Sequence, residues 1–285
     1  MKKFLLLLIS CFVAQNAFAV DQGPVLPLKI MTLALDRSTH QYVANRPTPN
    51  SHLIADAFFN RMKNALKVKY PNYGEGVAER NKRENEEVTK QYFMSSATDA
   101  SNFVFFVGHG TPSILYPYDT KSIDITKKRF RGNTYWVWLY SCSVFANAVD
   151  GDPEFNQMFD GAHSVLGFAT SVTANEESIS VPGEFADQWI GKGKKIWDAF
   201  KIAVQYKLHD AHATTMMPQG DGTSISITNV PAIAYRWGFV NGRATELSNE
   251  KFATAYKGPV LNSSTYNNDP SYFSVKKQVY TRPTY

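Results

Sequence analysis

Two blocks of this sequence end in residues that can do chemistry together. Phe103-Val104-Phe105-Phe106-Val107 runs into Gly108-His109-Gly110, and Tyr135-Trp136-Val137-Trp138-Leu139-Tyr140 runs into Ser141-Cys142-Ser143. A thiolate is a strong nucleophile, and an imidazole can take or return its proton near neutral pH. The expected catalytic pair is therefore His109 with Cys142, provided their strands are neighbours. Glycine on both sides of the histidine permits a sharp turn and close approach of a ligand to the backbone. The N–H groups of Gly110 and Cys142 would then face one place. Two such donors can hold the negative oxygen of a tetrahedral intermediate, each contributing about 3–4 kcal/mol in known enzymes. The plainer readings are a small buried thiol for Cys142 and a turn histidine for His109.

Positioning these residues requires a particular kind of sheet. Five apolar residues in a row, without alternation, indicate a strand buried on both faces. Phe103–Val107, Tyr135–Tyr140 and Ser164–Ala169 all fit, and Leu26–Leu35 is a further strand. Arg37–Ser51, rich in Pro, Asn, Thr and Ser, is a loop. From His52 to about Val68, Leu53, Ile54, Ala57, Phe58, Met62 and Leu66 recur at helical spacing. Glu79–Tyr92 is charged and helix-prone, which predicts an exposed helix. Helical pattern returns at Gly183–Ile190 and Lys195–Leu208, and a late strand pair is expected at Ser224–Ile227 and Ile233–Val240. Buried strands interleaved with helices predict a three-layer α-β-α sandwich around a mostly parallel central sheet. In such sheets ligands bind outside the carboxyl ends of the strands, where this sequence puts His109 and Cys142.

These blocks resemble the caspase–haemoglobinase fold, which includes caspases, legumains, clostripain, separase and gingipains. An apolar strand ending in His-Gly, followed by a second ending in Cys, is its signature. The resemblance implies a caspase-like fold and a cysteine peptidase, or a related peptide-bond transferase or amidase. It implies His109 and Cys142 as the dyad, and an oxyanion hole made by Gly110 and the Cys142 main-chain N–H. It implies a peptide or protein as substrate and no metal or organic cofactor. The chain departs from the family around the nucleophile. Ser141 precedes Cys142 where many members carry Ala, Gly or Gln, Gly does not follow closely, and the caspase pentapeptide is absent. The residues that select the substrate side chain have no match. Two other readings stay open: a catalytically inactive caspase-fold binding protein, and a thiol redox or sensor protein using Cys142 alone.

The remaining sequence bounds the setting. Lys2 and Lys3, the apolar stretch Phe4–Val13 and the small-x-small triplet Ala17-Phe18-Ala19 have the layout of a signal peptide. The expected division is 1–19 signal peptide, 20–247 caspase-like domain and 248–285 loop-rich extension. Localisation is then exported, periplasmic or secreted, with cleavage near Ala19. Lipoprotein anchoring through Cys11 is the rival reading and is disfavoured, because the stretch before that cysteine, Phe4–Ser10, is only seven residues long. Cys11 and Cys142 are the two cysteines of the 285 residues. Cleavage leaves one thiol, which excludes an intramolecular disulfide framework and a multi-cysteine zinc site. Of the 30 Lys and Arg, two lie in the signal, so 28 face 25 acids in the remainder and the balance is +3. That weak charge argues against nucleic acid, and Lys127-Lys128-Arg129-Phe130-Arg131 reads as a solvated edge. No later run reaches the length of a membrane span. His209 and His212 could share a helix face, and Asp150–Glu154 forms an acidic turn. Both read as ordinary surface features rather than metal sites. His163 reads as a turn residue before a strand, and Trp136, Trp138, Trp189, Trp197 and Trp237 read as packing.

Overall fold

The computed structural model describes residues 23–147, 155, 157–172, 174–207, 215–218, 224–227, 231–235, 237–240, 243–255 and 276–279. The expected signal peptide, the acidic turn 150–154 and both His209 and His212 lie outside them. A seven-stranded sheet organises the molecule. In chain order its strands are β1 (Leu28–Ala34), β2 (Ala78–Glu84), β3 (Phe103–Val107), β7 (Trp136–Tyr140), β8 (Ser164–Phe168), β11 (Pro231–Tyr235) and β14 (Lys276–Val279). Their spatial order is β14-β11-β8-β7-β3-β1-β2. The five strands from β8 to β2 are mutually parallel, while β11 and β14 join antiparallel at the other edge. Small antiparallel sheets accompany it. β4 (Gly110–Thr111), β5 (Ile114–Leu115) and β6 (Ile123–Asp124) follow β3. The pairs β9 (Thr215–Pro218) with β10 (Ser224–Ile227), and β12 (Trp237–Val240) with β13 (Arg243–Glu246), come late in the chain.

The continuous apolar runs do what such runs must. Every residue of β3, β7 and β8 is buried. Alternate side chains feed two cores. On one face Phe103, Phe105, Trp136, Trp138, Tyr140 and Phe168 pack with Ile54, Phe58 and Met62 of α1 (Ser51–Lys69), Phe185 of α3 (Val181–Ala186) and Phe200 of α4 (Ile196–Lys207). On the other, Val104, Phe106, Val137, Leu139 and Val165 meet Phe93 of the short α2 (Lys90–Met94), Phe130, Phe155 and Met158. The result is the expected α-β-α sandwich, with helices thick on one side and thin on the other. Phe58 shows how tightly the first core is built: its ring lies 4.3 Å from Phe105 and 5.8 Å, edge-on, from Trp138.

Several expectations are corrected. Glu79–Tyr92 is not a helix. Ala78–Glu84 is edge strand β2, paired in parallel along the whole of β1, and only Lys90–Met94 is α-helical. Local helix propensity is a weak prior, and the ladder with β1 overrides it. The side chains of β2 settle into ion pairs, Arg80 with Asp56 at 2.6 Å and Lys82 with Glu84 at 2.7 Å. Ser224–Ile227 pairs with Thr215–Pro218, not with the following strand. Ile233–Val240 divides into β11 and β12, which belong to different sheets. The basic run 127–131 is not wholly solvated. Lys128 is 2% exposed, with Nζ 2.9 Å from Asp99 and 3.1 Å from the Ser95 carbonyl, and Phe130 is buried beside it.

His163 is likewise more than a turn residue. At the amino end of the sheet its Nδ1 lies 3.1 Å from both carboxylate oxygens of Glu250. Trp136 Nε1 donates to the same carboxylate at 2.7 Å, and the Glu250 carbonyl accepts from Ile196 N at 2.9 Å. All three side chains are buried, so the carboxylate satisfies groups that water cannot reach. Glu250→Ala should therefore cost about 3–5 kcal/mol, the range for breaking a buried charged network by deleting one partner. Urea unfolding followed by tryptophan fluorescence checks this, and Glu250→Gln should recover part of the loss by keeping one acceptor.

Candidate active site

His109 and Cys142 follow adjacent strands that end level with each other. β3 and β7 pair in register, Val107 opposite Tyr140, and Gly108 N extends the ladder to the Tyr140 carbonyl at 3.2 Å. His109 and Cys142 each stand two residues beyond that last pair, at the carboxyl edge. Cys142 packs against the same core as Tyr140, while His109 lies past the end of β3 with its ring turned to the loop between β1 and α1.

Each is held by backbone. The His109 ring bonds through Nε2 to the Arg46 carbonyl, in the loop between β1 and α1. A carbonyl can only accept, so Nε2 carries the proton and Nδ1 is left as the basic nitrogen. Burial lowers the pKa of His109 below the usual 6.5, the Arg46 guanidinium lowers it further, and the Arg46 carbonyl opposes both. The Cys142 Sγ–H donates to the Val172 carbonyl at 3.2 Å, and Val172 N–H donates back to the sulfur at 3.4 Å. Cys142 as a residue is half-buried, but its sulfur is well enough desolvated for burial to be the main influence on it. That raises its pKa above 9.0, against the hydrogen bonds from Val172 and Ser171. Near neutral pH the resting pair is thus a neutral thiol and a neutral imidazole.

The donors expected at an oxyanion lie on the same two turns. Tyr116 N–H donates to the His109 carbonyl at 3.1 Å, which makes Gly110–Leu115 a non-hydrogen-bonded pair of the β4–β5 ladder. The Gly110 N–H consequently points away from β5. Among the described residues no hydrogen bond takes the Cys142 N–H, whereas Ser141 N is bonded to Leu139 O and Ser143 N to Thr170 O. Ser143 adopts φ 52°, the left-handed turn that carries the chain away from the sheet edge.

Sequence reasoning missed four participants: the Arg46 carbonyl, Ser171, Val172 and Ser141. The first three act through backbone or lie on a distant loop, and no motif marks them. Ser141 stood out in the sequence only as a departure. It is fully buried, and among the described residues its hydroxyl has no hydrogen-bond partner. It fills the space beside Gly110, where a Cβ would lie 2.2 Å from Ser141 Oγ and 2.8 Å from the Ile114 carbonyl. Among the described residues no group of three or more His, Cys, Asp and Glu could hold a metal, and no helix is long and apolar enough to cross a membrane.

Two predictions follow from this geometry. Gly110→Ala should destabilise the fold by about 1–3 kcal/mol, as overpacking does. Adding Ser141→Gly should recover only part of that in urea unfolding, because the Ile114 carbonyl still obstructs the new methyl. Stability should also fall on both sides of neutrality. His109 binds its proton less readily when folded, so stability is lost as pH drops below 6.5. Cys142 binds its proton more tightly when folded, so stability is lost as pH rises past 9.0. Thermal unfolding against pH should show the acid loss reduced in His109→Gln and the alkaline loss reduced in Cys142→Ala.

Solved structures similar to this chain include the Arg-specific cysteine proteinase gingipain R, at 9% identity and a TM-score of 0.42, over 83% of this chain and 47% of that one. Caspase-1 from Spodoptera frugiperda is similar at 10% identity and a TM-score of 0.42, over 73% and 88% of the two chains. An inactive zymogen C11 protease from Parabacteroides distasonis is similar at 11% identity and a TM-score of 0.32, over 74% and 63%. This chain thus spans about half the length of the gingipain R chain. No curated protein matches it at a significant level. The family model DUF6345, described as a domain of unknown function, matches residues 38–253, a stretch that contains both strand-end turns, and the chain belongs to that family.

Proposed function

We propose that this protein is an exported cysteine peptidase, or a related peptide-bond transferase or amidase, working through His109 and Cys142. The observation that carries the reading is the register of β3 and β7, whose carboxyl ends finish level, with His109 and Cys142 each two residues beyond the last pair. The likeness of the two strand-end blocks to the caspase–haemoglobinase signature supports it. Cys142 Sγ attacks the carbonyl carbon of a peptide bond while its proton passes to His109 Nδ1. The carbonyl electron pair moves onto oxygen, where the N–H groups of Gly110 and Cys142 stabilise it. His109 then gives its proton to the leaving amine, the C–N bond breaks and a thioester remains. Water or an acceptor amine, deprotonated by His109, releases the acyl group. The Arg46 carbonyl orients the ring throughout. Peptides or proteins are the substrates, no metal or organic cofactor enters these steps, and nucleic acid has no part. Export follows removal of residues 1–19 near Ala19.

Burial bears on both thiol readings. Redox-sensing and nucleophilic cysteines alike have depressed pKa values and open sulfurs, and burial acts in the opposite direction on Cys142. What favours a peptidase over a sensor is His109 at the end of the neighbouring strand, which a sensor does not require.

Cleavage of a fluorogenic peptide library under reducing conditions tests the proposal. Cys142→Ala should abolish cleavage, and His109→Ala should lower kcat/KM by about 10²–10⁴-fold, the usual worth of a general acid–base group. Equal cleavage by wild type and Cys142→Ala would end the peptidase reading, and no cleavage by wild type on any library member would favour an inactive binding protein. The pH profile of kcat/KM has an expected shape. Its acid limb should lie below 6.5, because His109 must be neutral to act as base, and its alkaline limb above 9.0.

A further inference from the structure

The Arg46 carbonyl that holds the His109 ring sits on a loop whose base is closed by one residue, Asp36. Ala34 ends β1 and pairs with Val107. Asp36 stands two residues beyond Ala34, as His109 stands two beyond Val107. Each polar group of Asp36 is engaged. Its N–H donates to Oδ1 of Asn85, just past β2, at 3.0 Å. Its carbonyl accepts from Thr48 N at 2.8 Å. Its carboxyl group accepts from His52 N at 3.1 Å, and both of its oxygens lie 2.9 Å from His52 Nδ1. His52 is the second residue of α1. Asp36 thus joins the end of β1 to both the last part of the loop and the helix that follows. Thr48 Oγ1 adds a bond to the Leu35 carbonyl beside it.

The tie at Thr48 lies close in the chain to the Arg46 carbonyl. Only Pro47 separates the Arg46–Pro47 peptide plane from the Pro47–Thr48 plane. Peptide planes are rigid, and a proline ring locks φ at about −65°. Once the Thr48 N–H is bonded to Asp36, ψ of Pro47 is the one soft torsion left to move that carbonyl. The earlier half of the loop is fixed separately. Ser38 Oγ donates to Pro117 O at 2.7 Å, Thr39 N to Tyr118 O at 3.0 Å, and Arg46 N to Val43 O at 2.9 Å. We propose that Asp36 is a positioning residue for His109: with His52 it closes the β1–α1 loop and so holds the Arg46 carbonyl against the imidazole. A mere staple for the start of α1 would leave the His109 ring indifferent to Asp36. The significance of the inference rests on His109 being the general base of the proposed reaction, but its test needs no turnover.

The test is NMR of the full chain labelled with nitrogen-15 histidine, the His109 signals being assigned by their loss in His109→Gln. Wild type should show the Nε2–H tautomer, with that proton protected from exchange with water. Asp36→Ala should speed the exchange about ten- to hundredfold, as the loss of hydrogen bonds to a charged group predicts. Asp36→Asn keeps an oxygen for the His52 amide and should fall between the two. Pro47→Gly frees the linking torsion and should speed exchange as well. Glu250→Ala weakens the fold at the amino end of the sheet and should leave the His109 ring as in wild type. Unchanged tautomer and exchange in both Asp36→Ala and Pro47→Gly would overturn the proposal, and so would an equal increase in Glu250→Ala. If Asp36→Ala does not fold, His52→Ala takes its place, at a side chain that is 40% exposed. These signals do not depend on peptide cleavage, so failure of the positioning role and failure of the peptidase reading are told apart.

Discussion

The in-register parallel pairing of β3 with β7 is the constraint on which the rest of the candidate site depends. A slip of one residue in either strand would turn its whole set of side chains to the other face. His109 and Cys142 would then no longer follow strand ends that finish level. The register is secured by burial on both faces. Phe103, Phe105, Trp136 and Trp138 interlock with α1, α3 and α4, while Val104, Phe106, Val137 and Leu139 fill the opposite core. Burying eight such side chains, each contributing about 1.5–3 kcal/mol relative to exposure, makes any alternative pairing costly. Precision at the edge is thus bought in the middle of the sheet.

The second determinant is backbone geometry at the strand ends. Neither reactive group depends on a charged neighbour for its placement. A carbonyl fixes the tautomer of His109, and one residue's amide and carbonyl hold Cys142. Burial keeps both groups neutral, so charge separation belongs to the reaction rather than to the resting state. Gly110 lets two turns approach so closely that the Ser141 side chain occupies the space a methyl would need.

How much of this was legible depends on whether each element announces itself locally. β3, β7 and β8 are unbroken apolar runs and could be read at once, as could α1 from its helical spacing. From those runs the sandwich and the level strand ends follow, and the proposal for His109 and Cys142 builds on them. β2 could not be read. Ala78–Glu84 is charged because it is an edge strand with solvent beside it, and its identity comes from the ladder with β1. Lys128 gives no sign in sequence that Asp99 will accompany it into the interior. The Arg46 carbonyl is beyond any residue-type argument, because every residue has a carbonyl and only the path of the β1–α1 loop puts this one against His109. Glu250 looks like one more surface acid until the fold places Trp136 and His163 around it.

The charged character of β2 has a further consequence. Among the described residues β2 has no partner on its outer side, and such an edge offers a row of free N–H and C=O groups to any other extended chain. Along β2 those groups are flanked by Arg80, Lys82 and Glu84, held in place by ion pairs with Asp56 and with each other. An incoming strand would have to desolvate these charges and accommodate their bulk. The edge farthest from β8 is therefore guarded against the edge-to-edge association that turns folded sheets into aggregates.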